Sequence, residues 1–410
     1  MKFLNKMNTN RTTEKRWWLY CQDLKFARYK QWDLALKVKQ REQANELAIM
    51  TYLGEYAECE KQIIKLNLSE YKQGRDALLR ARRALGKRNT WESLISKDIQ
   101  IEPTIKQIDK AIKNGETICV NLVGGIGDQI ESSSLLIGET EQYSPGKGPI
   151  IQIKAEGDNK EAVTEYLLRT NAKKMISGEQ SYTNLNLSYP LYRYWRERST
   201  NLPLVYKKLC DIKKKTKIKS GELNILVCWR CKMNKKNLIS SFSRSVPFKT
   251  IMEFMQLIEK KIGIQRVNII DITKYNGVEK KIISTNYPKI RLAGDTVNSI
   301  EYLIELISLS EMIISVDTSL VHVSATCNRQ VNALLPKYAD ERWLELMKSE
   351  GVYKQNVIIH KQEKFHNWES CSKSILNNII RNLENQITYT KQTKLENKLA
   401  FHFPNNNDVI

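Results

Sequence analysis

The spacing of apolar residues changes along the chain near residue 115. Residues 14–90 contain no proline, and apolar side chains recur at helical spacing near Trp17 and Trp18, over 47–64 and over 71–85. This pattern predicts an α-helical N-terminal module over residues 1–104.

Two short segments of this module, Leu53–Ala57 (LGEYA) and Ala77–Ala81 (ALLRA), faintly resemble helical hairpins of tetratricopeptide repeats. Their spacings do not repeat at about 34 residues, so no repeat array is predicted.

From residue 115 on, short apolar runs alternate with helix-length segments. In the first part we predict strands over 117–123 and 150–154 and a helix over 161–168, while 175–207 has no clear pattern. In the second part we predict strands over 223–228, 267–272, 290–292, 312–316, 331–335 and 357–359, and helices over 247–261, 299–308, 319–327, 340–348 and 368–383. Strands separated by helix-length segments favour parallel pairing with crossovers.

This alternation predicts an α/β fold with two facing Rossmann-like domains, over residues 105–210 and 222–386. The charged segment 211–221 ends in Gly221 and marks the joint between them. We interpret it as a solvated linker, with a phosphate-binding patch as the alternative. Residues 387–410 are expected to form a loosely held polar tail.

The composition is that of a soluble globular protein, with 41% hydrophobic and 27% charged residues and a formal net charge of +21. This charge could indicate a nucleic acid, an anionic membrane or an acidic substrate as partner. The alternative explanation is a general enrichment in Lys, Asn and Ile along the whole chain. The 66 Lys and Arg residues are spread along the whole length, which argues against nucleic-acid binding.

The expected location is the cytoplasm. The first ten residues have no apolar run of the kind that a signal peptide needs, and no stretch approaches the roughly 20 apolar residues that span a bilayer. The eight cysteines have no framework spacing, so reduced and mostly buried thiols are expected. Cys228 and Cys231 form a single CxxC at the end of an apolar run, where a structural role is favoured over zinc or redox chemistry.

A glycine-rich turn, Val123–Gln129 (VGGIGDQ), follows the first predicted strand. A doubly wound fold places its ligand crevice at this end of the strand. Asp128 falls near the start of the next helix, where free N–H groups favour its ionised form, so it can accept a proton from an attacking hydroxyl. The alternative is a carboxylate that only caps the helix. Ile130 stands where GxGxxG has its last glycine, so the segment departs from the dinucleotide-binding fingerprint.

A second candidate site is Ile313–His322 (IISVDTSLVH), where an apolar strand leads into a helix. The first turn of a helix presents unpaired N–H groups, and Thr318 and Ser319 add hydroxyl donors, so the turn is suited to a diphosphate. His322 lies one turn further on the same side and can touch the same ligand. A buried structural histidine is the alternative.

Arg244 is the third candidate. It lies just ahead of Pro247, a residue that suits the first turn of a helix. Its planar guanidinium can reach a phosphate, and an ordinary surface arginine is the alternative.

In this order and spacing, the segments resemble the heptosyltransferase-like glycosyltransferases of family 9, in particular the branch associated with tetratricopeptide-repeat proteins. The resemblance covers residues 115–385. It rests on Gly125–Asp128, Arg244–Pro247, Ile314–His322 and Leu334–Trp343 (LLPKYADERW). The Asp-Thr-x-x-x-His segment is the most specific of the four.

The resemblance implies two facing domains of GT-B type, with the acceptor in the first and the nucleotide sugar in the second. It implies that Asp128 is the catalytic base of a transfer with inversion, and that neither a metal nor a cofactor is needed beyond the nucleotide-sugar co-substrate. The substrate-binding candidates are Gly125, Gly127, Arg244, Asp317, Thr318, Ser319 and His322, with Arg244 near the donor phosphates and the segment from Asp317 gripping the diphosphate.

The implied partners are a nucleotide sugar and a glycan or lipid-linked acceptor, and the positive charge permits peripheral contact with an anionic membrane at its inner face. Asn328–Gln330 departs from the family by replacing a Gly-containing turn, and asparagine can take the left-handed conformation that glycine would supply. The segment 271–277 gives no pattern for the donor, and the helical N-terminus is unlike the plain heptosyltransferases. The alternative function is a catalytically inactive module that binds a nucleotide sugar or a partner protein.

Overall fold

The computed structural model describes residues 55–66, 105–142, 150–176, 185–199, 203–213, 222–231, 244–337, 339–340, 342–364 and 367–400, with a few further positions between 47 and 85. The strands are β1 (Thr117–Leu122), β2 (Ile150–Ala155), β3 (Leu185–Ser188), β4 (Val205–Tyr206), β5 (Leu223–Cys228), β6 (Val267–Asp271), β7 (Arg291–Leu292), β8 (Met312–Val316), β9 (Val331–Leu335), β10 (Glu350–Gly351) and β11 (Val357–Lys361). The α-helices are α1 (Tyr56–Lys65), α2 (Ile105–Lys113), α3 (Ile126–Gln142), α4 (Lys160–Leu168), α5 (Tyr189–Ser199), α6 (Phe248–Lys261), α7 (Gly277–Asn286), α8 (Ile300–Ser308), α9 (Ser319–Thr326), α10 (Arg342–Lys348), α11 (Val352–Asn356) and α12 (Glu369–Ala400).

The first half of the protein, residues 105–213, contains a parallel sheet with the order β2-β1-β3. β1 lies in the middle, and its Val120 pairs with Ile153 of β2 and with Leu187 of β3. β1 is largely buried because helices cover the sheet. The central strand therefore directs its carboxyl end, and the glycine turn after it, to the edge where ligands of parallel sheets bind.

The second half, residues 222–400, contains a six-stranded parallel sheet with the order β11-β9-β8-β5-β6-β7. When its strands are numbered along the chain within this half, the order is 3-2-1-4-5-6, which is that of dinucleotide-binding Rossmann folds. Every residue of β8 and β9 is buried, as near-continuous apolar runs require when helices cover both faces of a parallel sheet. The strand order reverses between β5 and β8, and this is where a ligand crevice is expected. The predicted α/β fold with parallel sheets is confirmed.

The two halves are joined by backbone pairing and by an apolar interface. β4 of the first half pairs in parallel with β10 of the second. Gly138 of α3 packs so closely against this pair that an added Cβ would lie 1.9 Å from the Val205 carbonyl oxygen. One hydrophobic core contains residues of both halves, for example Ile118 of β1 and Val321 of α9. The halves therefore meet through α3 and α9, the helices that begin at the two predicted sites.

Several elements differ from the sequence-based prediction. The unassigned region 175–207 contains β3, α5 and β4, and α7 was not predicted. The last helix continues through the first part of the predicted polar tail to Ala400. Asn328 has a φ of 57°, so the left-handed turn predicted for it is confirmed.

Most of the predicted helical N-terminal module lies outside the described residues, as does most of the predicted joint 211–221. Within the module, α1 packs with Leu47 and with Ala77, Leu78 and Ala81 in a small separate core. No helix among the described residues is long and apolar enough to cross a membrane.

Candidate active site

The turn after β1 positions the carboxylate of Asp128. Gly124 has a φ of +99°, a left-handed conformation that favours glycine, and this turns the chain into α3. Asp128 lies in the first turn of that helix, and its Oδ2 accepts a hydrogen bond of 2.8 Å from the Gly125 backbone N–H. The side chain is 42% exposed, so solvent reaches the carboxylate at the edge of the sheet.

The turn after β8 has a similar construction, but its carboxylate is buried. Thr318 caps α9 by accepting a hydrogen bond of 3.3 Å from the Leu320 backbone N–H. Its hydroxyl also lies 2.9 Å from the hydroxyl of Ser315 in β8. Asp317, just before the cap, is only 1% exposed. The turn therefore combines a fixed helix start with a buried charge.

Arg342, the first residue of α10, connects the two carboxylates. Its Nη1 contacts Asp128 Oδ1, and its Nη2 donates a hydrogen bond of 2.8 Å to Asp317 Oδ1. Its side chain is 17% exposed. A planar guanidinium with two donors in fixed geometry is suited to bridging two carboxylates in this way. Asp128 and Asp317, which come from different halves, therefore lie on the same side of the protein and are separated by a single guanidinium group.

Asp317 is a buried anion that holds two arginines. Arg244 Nη1 lies 3.2 Å from its backbone oxygen and 3.4 Å from Oδ2. Burial works against the charged form of Asp317, but the guanidinium groups of Arg342 and Arg244 outweigh it and lower its pKa to about 2. Because an ionised carboxylate repels a diphosphate, Asp317 is suited to anchoring these arginines rather than to binding phosphate itself.

His322 is buried at the contact between α3 and α9. Its Nδ1 lies 2.8 Å from the Tyr353 hydroxyl, its ring stacks on Trp343 at 5.7 Å, and its Nε2 is 4.0 Å from Asp317 Oδ1. Burial lowers the pKa of His322 to about 4, and the positive charge of Arg342 adds to this, so the ring is neutral at pH 7. The sequence left two roles open for His322, contact with the ligand and a buried structural role. Its position between Trp343, Tyr353 and Asp317 supports the structural role.

Gly127 makes the approach of the two helices possible. A Cβ at this position would lie 2.6 Å from His322 Cδ2 and 3.3 Å from the Ser319 Cα. Gly127 therefore faces α9, whereas Gly125 contributes its N–H to Asp128. The structure gives these two glycines roles in shaping the site, and contact with substrate stays a prediction for both.

A cavity of about 640 Å³ lies at the carboxyl ends of β5, β6 and β8. Cys228, Ile272 and Thr318 line it from these three strand ends, and Ser319 lines it from the first turn of α9. It therefore occupies the place where the strand order reverses. Its volume is within the range of small-molecule sites.

The sequence analysis did not identify three basic residues of the site. Arg342 lies between the two carboxylates, and Arg230 and Lys274 line the cavity. Arg230 donates two hydrogen bonds of 3.0 Å to Glu279, so its charge is already compensated in the cavity wall. Lys274 lines the cavity and is exposed. The sequence signal for Arg342 was its place in the Asp-x-Arg-Trp stretch, to which no role had been assigned.

Comparisons with known proteins give structural neighbours only. No protein-family profile matches the sequence, and no curated protein matches it. One similar solved structure is the ADP-heptose lps heptosyltransferase II of E. coli, at 13% identity and a TM-score of 0.41, covering 66% of this chain and 99% of that one. Another is the glycosyl transferase family 9 protein of Veillonella parvula DSM 2008, at 10% identity and a TM-score of 0.33, covering 67% and 97%. With identities and TM-scores this low, the two structures carry no argument about this protein, and its fold follows from the strand order alone. The tetratricopeptide-associated branch stays a prediction.

Proposed function

We propose that the protein is an inverting, metal-independent glycosyltransferase of GT-B type that moves a sugar from a nucleotide sugar to a hydroxyl group of a glycan or lipid-linked acceptor. The observation that carries the proposal is the pairing of Asp128 and Asp317, from the two halves, through Arg342. This pairing places an exposed carboxylate close to the helix start that borders the cavity.

In this proposal the nucleotide sugar binds in the cavity at the strand reversal, with its diphosphate at the start of α9. The Ser319 N–H at the start of that helix and the hydroxyls of Thr318 and Ser319 are the proposed donors for phosphate oxygens. Arg244 and Arg342, held in place by Asp317, add positive charge beside them. As the sugar leaves the diphosphate, these groups stabilise the negative charge that builds up on it.

Asp128 is proposed as the base. Its carboxylate takes the proton of the acceptor hydroxyl while that oxygen attacks the anomeric carbon from the face opposite the diphosphate, so the configuration inverts. The bond to Gly125 and the contact with Arg342 orient the carboxylate. For the reaction, Oδ1 must exchange its contact with Arg342 for the acceptor hydroxyl, and the negative charge of a bound diphosphate offers Arg342 an alternative partner.

A thermal-shift screen across nucleoside diphosphates and nucleotide sugars tests the proposal. One nucleotide is expected to raise the melting temperature, by an amount that grows with its concentration. Ser319→Ala, which removes a hydroxyl at the start of α9, should reduce this shift. Ser284→Ala, on the exposed face of α7, is the matched control and should not change it.

Two outcomes would count against the proposal. If no nucleotide or nucleotide sugar changes the melting temperature, the cavity is not a donor site. If a nucleotide binds but the wild-type protein consumes no donor, with or without glycan acceptors, the protein is the inactive binding module that the sequence left as its alternative.

A further inference from the structure

Two thiols from the two halves of the protein are in contact at the end of α9 that lies away from the candidate active site. Cys210 follows β4, and Cys327 follows the last residue of α9, at the opposite end of that helix from Thr318. Their Sγ atoms lie 2.9 Å apart, and both are free cysteines. The Tyr166 hydroxyl lies 3.3 Å from the sulfur of Cys327.

Backbone hydrogen bonds hold the two cysteines in this register. The N–H groups of Leu209 and Cys210 donate to the Thr326 carbonyl oxygen at 2.7 and 3.4 Å, and the N–H of Ile212 donates to the Cys327 carbonyl oxygen at 3.4 Å. A disulfide has an S–S length of about 2.05 Å, so the sulfurs need to approach by less than about 1 Å. The pairing of the segments therefore already provides most of the geometry of a cross-link.

Cys210 is accessible to a small reagent. It is half-buried and lines a cavity of about 580 Å³ that Arg169, Lys173 and Lys174 also line. Glu141 and Asp211 also line the cavity, but they are paired with Lys207 and Lys208. Lys173 and Lys174 are exposed, so they can attract an anion to the entrance. The hydrogen bond with Cys327 lowers the pKa of Cys210, which favours the nucleophilic thiolate. Cys327 is buried behind it and cannot be the first thiol to meet a reagent.

We propose that Cys210 and Cys327 form a reversible disulfide that links the two halves, and that a small anionic disulfide such as oxidised glutathione is its oxidant. The Cys210 thiolate attacks one sulfur of the reagent, whose S–S bond breaks, giving a mixed disulfide and one reduced reagent thiol. Cys327 then attacks Cys210 Sγ and displaces the second reagent thiol. Two protein thiols are oxidised, one reagent disulfide is reduced to two thiols, and the two protein protons end on those thiols.

The cross-link would act on stability and on the relative position of the halves. It joins residues 117 positions apart in the sequence, so it restricts the unfolded chain strongly. Disulfides in cytosolic proteins are usually transient or redox-sensing, and an accessible entry thiol next to a buried second thiol is consistent with that class.

The test uses the full chain, reduced and then exposed to oxidised glutathione. Free thiols are blocked by alkylation, and the protein is digested with trypsin and analysed by mass spectrometry. The expected product is peptide 209–213 joined to peptide 292–329, since trypsin cleaves after Lys208, Lys213, Arg291 and Arg329. The oxidised protein should also melt several degrees above the reduced protein, and a thiol reductant should reverse both changes.

Two variants serve as controls. Cys210→Ser should give no cross-linked peptide and no difference in melting temperature between the two conditions. Cys228→Ser with Cys231→Ser removes the CxxC pair and should leave the cross-link intact. The sulfur of Cys228 contacts the Arg230 carbonyl oxygen, and that of Cys231 contacts the Ser245 hydroxyl. The proposal is overturned if the oxidised wild type shows both thiols alkylated, or Cys210 carrying glutathione without the joined peptides. The wild-type comparison decides the question even if Cys210→Ser does not fold.

Discussion

The turns after β1 and β8 have the same local construction but place their carboxylates in different environments. Each follows a parallel strand and leads into a helix, and each presents an aspartate to Arg342. Asp128 is 42% exposed, while Asp317 is 1% exposed. An exposed carboxylate can exchange partners during a reaction, whereas a buried one must keep its partners because removing them leaves an uncompensated charge. Burial, more than residue type, therefore separates the proposed base from the anchor.

The largest expected effect is on the exposed carboxylate. Asp128→Asn keeps the shape of the side chain but removes the base, so we expect a loss of about 10²- to 10⁴-fold in kcat with little change in stability. Donor consumption with a transferable acceptor measures this. Asp158→Asn, an exposed aspartate of the same half, is the control and should retain full turnover. If Asp128→Asn keeps wild-type turnover, Asp128 only caps its helix.

The buried carboxylate should show the opposite effect. Asp317→Asn leaves Arg342 and Arg244 without their anionic partner in a buried site, so we expect a loss of about 3–5 kcal/mol in the free energy of unfolding. Urea denaturation measures this loss. Asp295→Asn removes the exposed partner of Lys280 and should not change the unfolding curve measurably. A stable Asp317→Asn protein would contradict the anchoring role.

Much of the second half could be predicted from the sequence because its strands are covered on both faces. Near-continuous apolar runs such as those of β8 and β9 have few other interpretations, and their spacing requires crossover helices. α7 was missed because it lies on the surface with only Ile283 buried, so it has no apolar stripe. Its one signal was local, the capping box between Asn276 and Glu279.

The meeting of the two aspartates was also predictable, since both follow strands whose carboxyl ends border a crevice. The role of Arg342 was not, because it depends on where α10 packs, 214 positions along the chain from Asp128. The burial of His322 likewise follows from the packing of α9 against α3. Sequence patterns therefore located the loops of the site, while the tertiary packing of helices decided which of their side chains touch.

The packing between the two turns can be tested at Gly127. Gly127→Ala would place a methyl group 2.6 Å from the buried ring of His322 and 3.3 Å from the backbone of Ser319, so one helix must shift. We expect a loss of about 1–3 kcal/mol in stability and reduced turnover, because the aspartates move relative to each other. Gly277→Ala, where an added Cβ meets nothing within 4 Å, is the control and should fold with unchanged or slightly higher stability. Equal unfolding midpoints for the two variants would show that the close contact is not required.

The smallest expected effect is on how the free energy of unfolding depends on pH. His322 and the buried carboxylate of Asp317 contribute to it in different pH ranges. The folded-state pKa of His322 is lowered to about 4, below the 6.5 of an unfolded histidine, so between these values the unfolded chain binds a proton that the folded chain does not. The free energy of unfolding should therefore fall as the pH falls from 6.5 towards 4, by at most about 1.4 kcal/mol per pH unit for this group. Asp317 has a folded-state pKa of about 2, below the 3.8 of an ordinary aspartate, so its contribution is lost only below about pH 5 and the slope above that pH does not come from it.

His322→Gln tests this assignment. Glutamine can keep a hydrogen bond to the Tyr353 hydroxyl but cannot titrate, so its urea-unfolding free energies at pH 7, 6 and 5 should fall less steeply than those of the wild type. Burial also lowers the pKa of His360, so part of the slope should remain. His360→Gln is therefore the matched variant, and the double variant should be the flattest of the four proteins. If His322→Gln keeps the full wild-type slope, the pKa of His322 does not differ between the folded and the unfolded protein, and the lowered pKa of the ring between the two turns is wrong.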